Sequence, residues 1–174
     1  MGLFDFLRKK QNTNDGITKL TNKDDMSNYD LCEIKYKGAN DPEKNNVYLL
    51  FFKYKDNIDY DVIIEPASSV ELEIFKNHCK KYCVSADVMK KLIEYYSMNN
   101  NFFNYFKCDD CSIFEWYDES KELWLGQRDL WVFRYVESLN KFTIGDASNS
   151  SFGKEYEFDS IMEMLDSFLS GKSI

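Results

Sequence analysis

The hydrophobic period of this chain switches from strand-like to helical twice, and that constrains its fold more than any other feature. Before Ser68 the apolar residues come in short alternating or continuous runs, as strands require. From Ser68 to Tyr96 they recur at helical spacing. Beyond Ser112 they return to short runs separated by turn residues, and a last helical stretch closes the chain. Strand-rich and helix-rich stretches segregated in this way predict an α+β fold rather than an all-α or all-β one.

Residues 31–37 alternate imperfectly, residues 47–54 form an unbroken apolar and aromatic run, and residues 59–65 alternate again, with Tyr60, Val62 and Ile64 on one side. These predict three strands, the middle one covered on both faces. Asn40-Asp41-Pro42 and Lys55-Asp56-Asn57 supply turn chemistry between them. Ser68 and Glu71 have the spacing of a capping box, and Val70, Ile74, Phe75, His78 and Tyr82 then mark one helical face. Ser85 is placed to cap a second helix with Val88, Leu92, Tyr95 and Tyr96 on its apolar stripe. Asn99-Asn100-Asn101 stops it, so the two helices form a hairpin. Residues 112–117, 122–125, 130–136 and 141–144 have the rhythm of an antiparallel meander, followed by a short strand near Tyr156. Ser160 and Glu163 box the start of the last helix, Ile161, Met164, Leu165 and Phe168 form its buried face, and Gly171 sits where a C-terminal cap belongs. The expected architecture is one α+β domain over residues 29–174. It is a largely antiparallel sheet with a helical hairpin and a C-terminal helix packed on it. Residues 1–28 are read as a polar leader that can hold a short N-terminal helix.

Charge narrows the function. The chain carries a formal net charge of −8, with arginine only at Arg8, Arg128 and Arg134. Phosphate binding draws on clustered Lys and Arg that release counterions, so nucleic acid is not the expected partner. A negative surface steers basic proteins toward itself instead. No apolar run approaches the roughly 20 residues that a membrane-spanning helix needs. The first ten residues place Leu3, Phe4, Phe6 and Leu7 before Arg8, Lys9 and Lys10, the reverse of a secretory signal, so the expected location is the cytoplasm.

Reactive chemistry has few candidates. Cys79 and Cys83 form one pair and Cys108 and Cys111 another, a spacing that a tetrahedral zinc ion can use, with His78 beside the first pair. Cys79 and Cys83 also lie one helical turn apart, on or next to the apolar stripe of the first helix, where cysteine acts as a small hydrophobe. The two aspartates between Cys108 and Cys111 disfavour a thiolate and with it redox chemistry. His78 is the lone histidine, and it falls beside the expected core, where an imidazole serves structure. No phosphate-binding glycine loop, nucleophile elbow or calcium loop occurs. No catalytic residue, metal ligand or cofactor is therefore assigned. A zinc-stabilised regulatory domain using Cys79, Cys83, Cys108 and Cys111 is kept as the alternative.

The denser signal is acidic and aromatic. Asp109, Asp110, Glu115, Asp118, Glu119 and Glu122 face only Lys121 over the same stretch, and Trp116, Trp124 and Trp131 fall within the meander. Tryptophans set among polar groups are what protein interfaces use as anchors. Glu115, Trp116, Asp118, Glu119, Trp124, Asp129 and Trp131 are accordingly the candidate partner-binding residues, and a basic protein is the expected partner.

From Ser68 onward the order of elements resembles the SUKH superfamily, which includes bacterial toxin-immunity proteins and a fungal cell-wall assembly regulator. The residues carrying the likeness are Leu92-Ile-Glu-Tyr-Tyr-Ser-Met-Asn-Asn100, Ser112-Ile-Phe-Glu-Trp-Tyr117, Lys141-Phe-Thr-Ile-Gly-Asp146 and Glu157-Phe-Asp-Ser-Ile161. Departures are a missing proline at Val84-Ser85, Asn99-Asn100 where the family has Asn-Gly, and an additional β-rich segment before Ser68. The resemblance implies a helical pair, a meander and a closing helix. It also implies a non-enzymatic role, neutralising a toxin domain by binding it.

Overall fold

The structure, a computed structural model, describes residues 32–103, 105–147 and 156–171. The expected leader over residues 1–28 lies outside the described residues.

The expected α+β class holds. Strand β1 (Ile34–Tyr36), helix α1 (Asn46–Lys53) and strand β2 (Val62–Ile64) come first, then helices α2 (Ser69–Lys81) and α3 (Ala86–Tyr96). A short helix α4 (Tyr117–Ser120) leads into strands β3 (Glu122–Arg128), β4 (Trp131–Val136), β5 (Lys141–Asp146) and β6 (Tyr156–Phe158), and helix α5 (Ile161–Leu169) closes the fold. Strands β3 to β6 form an antiparallel sheet in chain order, while β1 and β2 form a separate parallel pair with Ile34 opposite Val62.

The parallel pair corrects the sequence expectation. Residues 47–54, expected as a central strand, are helix α1. Asn45 caps it by accepting the Tyr48 N–H, and Val47 and Phe51, one turn apart, are its buried positions. An unbroken apolar run serves a buried helix as well as a buried strand, and the Asn45 cap decides between them. With a helix between them, the flanking strands run parallel, as a helical crossover allows and a tight turn does not.

The helical hairpin forms as expected. Ser68 accepts the Glu71 N–H at 3.2 Å, and Glu71 accepts the Ser68 N–H at 2.6 Å, completing the capping box. The buried side of α2 is Phe75 and Cys79, whereas Val70 is 67% exposed and Ile74 38%, against expectation. The face turns because Phe114 packs against Phe75, His78 and Tyr82 and draws the C-terminal half of the helix inward. At the end of α2 the Cys83 N–H bonds to Lys80 O and the Val84 N–H to Cys79 O, with Cys83 left-handed at φ 57°. This is a Schellman motif with cysteine where glycine is usual. On α3, Val88, Leu92, Tyr95 and Tyr96 are all buried, as read from their spacing.

Asn99, Asn100 and Asn101 do more than end α3. All three are buried. Asn99 Oδ1 accepts the Glu65 N–H, and its Nδ2 donates to Asn101 O and Tyr95 Oη. The Asn100 N–H bonds to Glu65 O, and Asn100 O accepts the Cys108 N–H. Asn45 Nδ2 reaches Met98 O at 2.8 Å. The asparagine run thus ties the chain after β2 and the residues around Cys108 to the end of α3, and Asn45 adds helix α1 to the same junction.

The inner face of the four-stranded sheet sends Leu123, Leu125, Phe133, Tyr135, Phe142 and Ile144 into one core shared with the helices. Phe103 wedges between Phe51 of α1, Phe133 of β4 and Phe168 of α5. The start of α5 is half the expected box: Ser160 accepts the Glu163 N–H, but the Glu163 carboxylate takes the Asp159 N–H. Gly171 is left-handed just past the end of the helix, as expected.

Candidate functional site: an acidic aromatic face

Residues 112–117, expected as a strand, are instead a single 3-10 turn (Cys111–Phe114) running into α4. Asp110 caps the turn by accepting the Ser112 N–H. That cap and the burial of Ile113 and Phe114 at adjacent positions favour a turn, since neighbours on a strand point to opposite sides. The turn lies along β3, and it swings Trp116 back onto that strand.

Trp116 and Trp124 meet there, their ring centroids 4.5 Å apart. Phe106 stands edge-on to Trp124 at 6.1 Å and Tyr105 edge-on to Phe106 at 4.5 Å. The four rings form one strip drawn from three segments: the loop after α3, the turn into α4, and β3. Trp116, Trp124 and Phe106 are partly buried, and Tyr105 is 48% exposed.

Gly126 is what lets these segments close up. Strand β3 bulges between Trp124 and Gly126, and a Cβ on Gly126 would lie 2.7 Å from Phe102 Cβ. Such an approach is open only to glycine. Gly126 O also accepts the Trp124 indole N–H at 3.1 Å, which fixes the ring orientation. The strip therefore depends on a glycine outside it.

Around the strip, Glu115, Asp118 and Glu119 are exposed and form no ion pair among the described residues. Some other surface carboxylates are compensated, Asp87 by Lys91, Asp166 by Lys53 and Glu73 by Lys76, whereas Glu43, Asp56 and Glu94 are exposed and, among the described residues, equally without an ion pair. Lys121, the one cation within the acidic stretch, sits over the Tyr117 ring at 4.9 Å. Glu122 bonds the buried Arg134 at 2.8 Å and so serves the sheet.

Asp129 and Trp131 belong elsewhere. They lie at the β3–β4 turn, where Arg128, the residue opposite Trp131, is four residues along β3 from Trp124, about 13 Å away at strand rise. There Asp129 pairs with Arg128, whose guanidinium lies 3.8 Å over the Tyr60 ring and reaches Asp59. The structure thus brings Trp116 and Trp124 into contact, with the exposed Glu115, Asp118 and Glu119 within three residues of Trp116 along the chain, and leaves Asp129 and Trp131 at the far end of β3. It adds Tyr105 and Phe106, which the aromatic density of Phe102-Phe103-Asn104-Tyr105-Phe106 could have signalled.

Among the described residues no group of three or more His, Cys, Asp and Glu is placed to hold a metal ion. Cys79 and Cys108 are buried, and burial pushes both thiols up to about 12, whereas Cys83 and Cys111 are exposed. His78 lies against the Phe114 ring at 5.6 Å, beside the core as expected. Among the described residues no helix is long and apolar enough to cross a membrane. No family model, curated protein or solved structure matches the chain.

Proposed function

We propose that the chain is a non-enzymatic binding domain of the toxin-immunity type that acts in the cytoplasm and neutralises a basic protein by docking on it. The observation that carries this reading is the Trp116–Trp124 pair, with Glu115, Asp118 and Glu119 within three residues of Trp116, exposed carboxylates that form no ion pair among the described residues. A well-packed aromatic anchor gives a docking surface its affinity, and uncompensated like charge around it selects and steers a partner of opposite sign. The order of helix pair, meander and closing helix supports the likeness to the SUKH superfamily. The helical form of residues 112–117 removes one of the four segments on which that likeness rests.

The test is co-purification from the native cell with the product of the neighbouring reading frame as the first bait, followed by binding measured against salt. The expected partner is basic, its affinity falls as salt rises, and joint reversal of Asp118→Lys and Glu119→Lys weakens it at least about tenfold. A partner whose affinity ignores both ionic strength and these reversals would overturn the reading.

A further inference from the structure

Resting on that docking reading, we infer that the Tyr105–Phe106–Trp124–Trp116 strip is an arginine-reading anchor. It takes an arginine-rich stretch of the partner, with guanidinium planes on the indole faces and their charge toward Glu115, Asp118 and Glu119. The Trp124 indole N–H is already donated to Gly126 O, so what this partly exposed ring has left for a ligand is its π-system rather than a hydrogen-bond donor. An electron-rich face attracts cations, and a planar guanidinium stacks on it better than an ammonium does.

The molecule contains this chemistry once already. Arg128 lies 3.8 Å over Tyr60 with Asp59 and Asp129 as its carboxylate partners. The strip brings together the same two kinds of group, aromatic rings and, within three residues of Trp116, exposed carboxylates. Two other occupants fit less well. A second copy of this chain would bring its own charge of −8 against an acidic face. Single-stranded nucleic acid would stack on the rings, but the carboxylates repel its phosphates.

The experiment uses the full chain with its indoles labelled for NMR, titrated at fixed ionic strength with oligo-arginine, oligo-lysine of equal length, and oligothymidylate. The expected result is that the Trp116 and Trp124 indole signals move, the Trp131 signal stays, and oligo-arginine binds at least about threefold tighter than oligo-lysine. Trp116→Ala should weaken oligo-arginine binding about tenfold. Glu119→Gln, which leaves the rings in place and tests the anchor if Trp116→Ala fails to fold, should weaken it roughly threefold. Equal affinity for the two cationic peptides with unmoved Trp116 and Trp124 signals overturns the anchor and leaves electrostatic docking standing. Binding of neither peptide also overturns it, and docking is then judged on the co-purified partner alone. Preference for oligothymidylate overturns both.

Discussion

Replacing Asn99 with alanine removes one side chain that three parts of the chain use. Its Oδ1 accepts the Glu65 N–H at 3.1 Å, and its Nδ2 donates to Asn101 O at 2.8 Å and to Tyr95 Oη at 3.3 Å. The losses are unequal. Asn101 O keeps the Tyr95 hydroxyl as a donor at 2.8 Å, whereas the Glu65 N–H loses its acceptor. The Glu65 N–H is part-buried, and orphaning such a donor costs about 1–3 kcal/mol, while the hydrogen bonds that simply disappear cost about 1 kcal/mol more. The expected loss is about 3 kcal/mol out of a total of about 5–15 kcal/mol. In urea, with a slope of about 2 kcal/mol per molar for a chain of this size, the midpoint should fall by about 1.5 M at unchanged slope. Asn100→Ala probes the same junction by a different route, because Asn100 Oδ1 accepts the Asn101 amide at 2.7 Å and its Nδ2 reaches Glu71 at 3.4 Å, and it leaves the Glu65 N–H its acceptor. An Asn99→Ala protein within about 0.5 kcal/mol of the parent would refute the assignment of this junction to the Asn99 amide.

Other outcomes follow from local geometry. Cys83→Gly should stabilise the protein by about 1 kcal/mol in the same urea titration, because glycine relieves the left-handed position of the Schellman motif. Ser68→Ala should cost about 1 kcal/mol by removing the capping-box acceptor for the Glu71 N–H. In the native protein a thiol reagent should label Cys83 and Cys111 and spare Cys79 and Cys108 until denaturant is added. Chelation should leave the melting temperature unchanged, since two of the four paired thiols face the core. The buried thiols also set a pH dependence. Their folded values, about 12, lie above the unfolded one, so the folded state holds more protons between them. Stability should be level below about pH 9 and fall as pH rises toward 12, read as the urea midpoint against pH.

Much of the fold is legible locally. The Ser68 box, the Ser85 cap, the apolar stripe of α3 and the strands of the meander are written in residue types a few positions apart, because caps, turns and alternation act over that range. Two readings failed where the local signal serves two structures equally. Residues 47–54 are apolar enough for a buried strand or a buried helix, and residues 112–117 show a run that neither period claims. Asn45 and Asp110, each accepting a backbone N–H just inside its turn, tip those segments toward helix.

The candidate face divides along the same line. Its acidity is a property of composition, and Glu115, Asp118 and Glu119 lie within three residues of Trp116 whatever the fold. Which tryptophans share it is decided at a distance: Trp116 meets Trp124 only because the chain before α4 coils against β3, while Trp131 goes to the far end of the hairpin. Phe106 joins them because Gly126 has no Cβ to hold the 102–108 loop away. The asparagine run shows the same limit, since its stop signal is local but its partners, Glu65 and Cys108, are brought to it by packing. Sequence alone determined the α+β class, the caps and the sign of the surface, because those depend on neighbours along the chain. Only the tertiary structure decided which rings, amides and carboxylates face one another, because those contacts join segments whose spacing along the chain carries no record of their meeting.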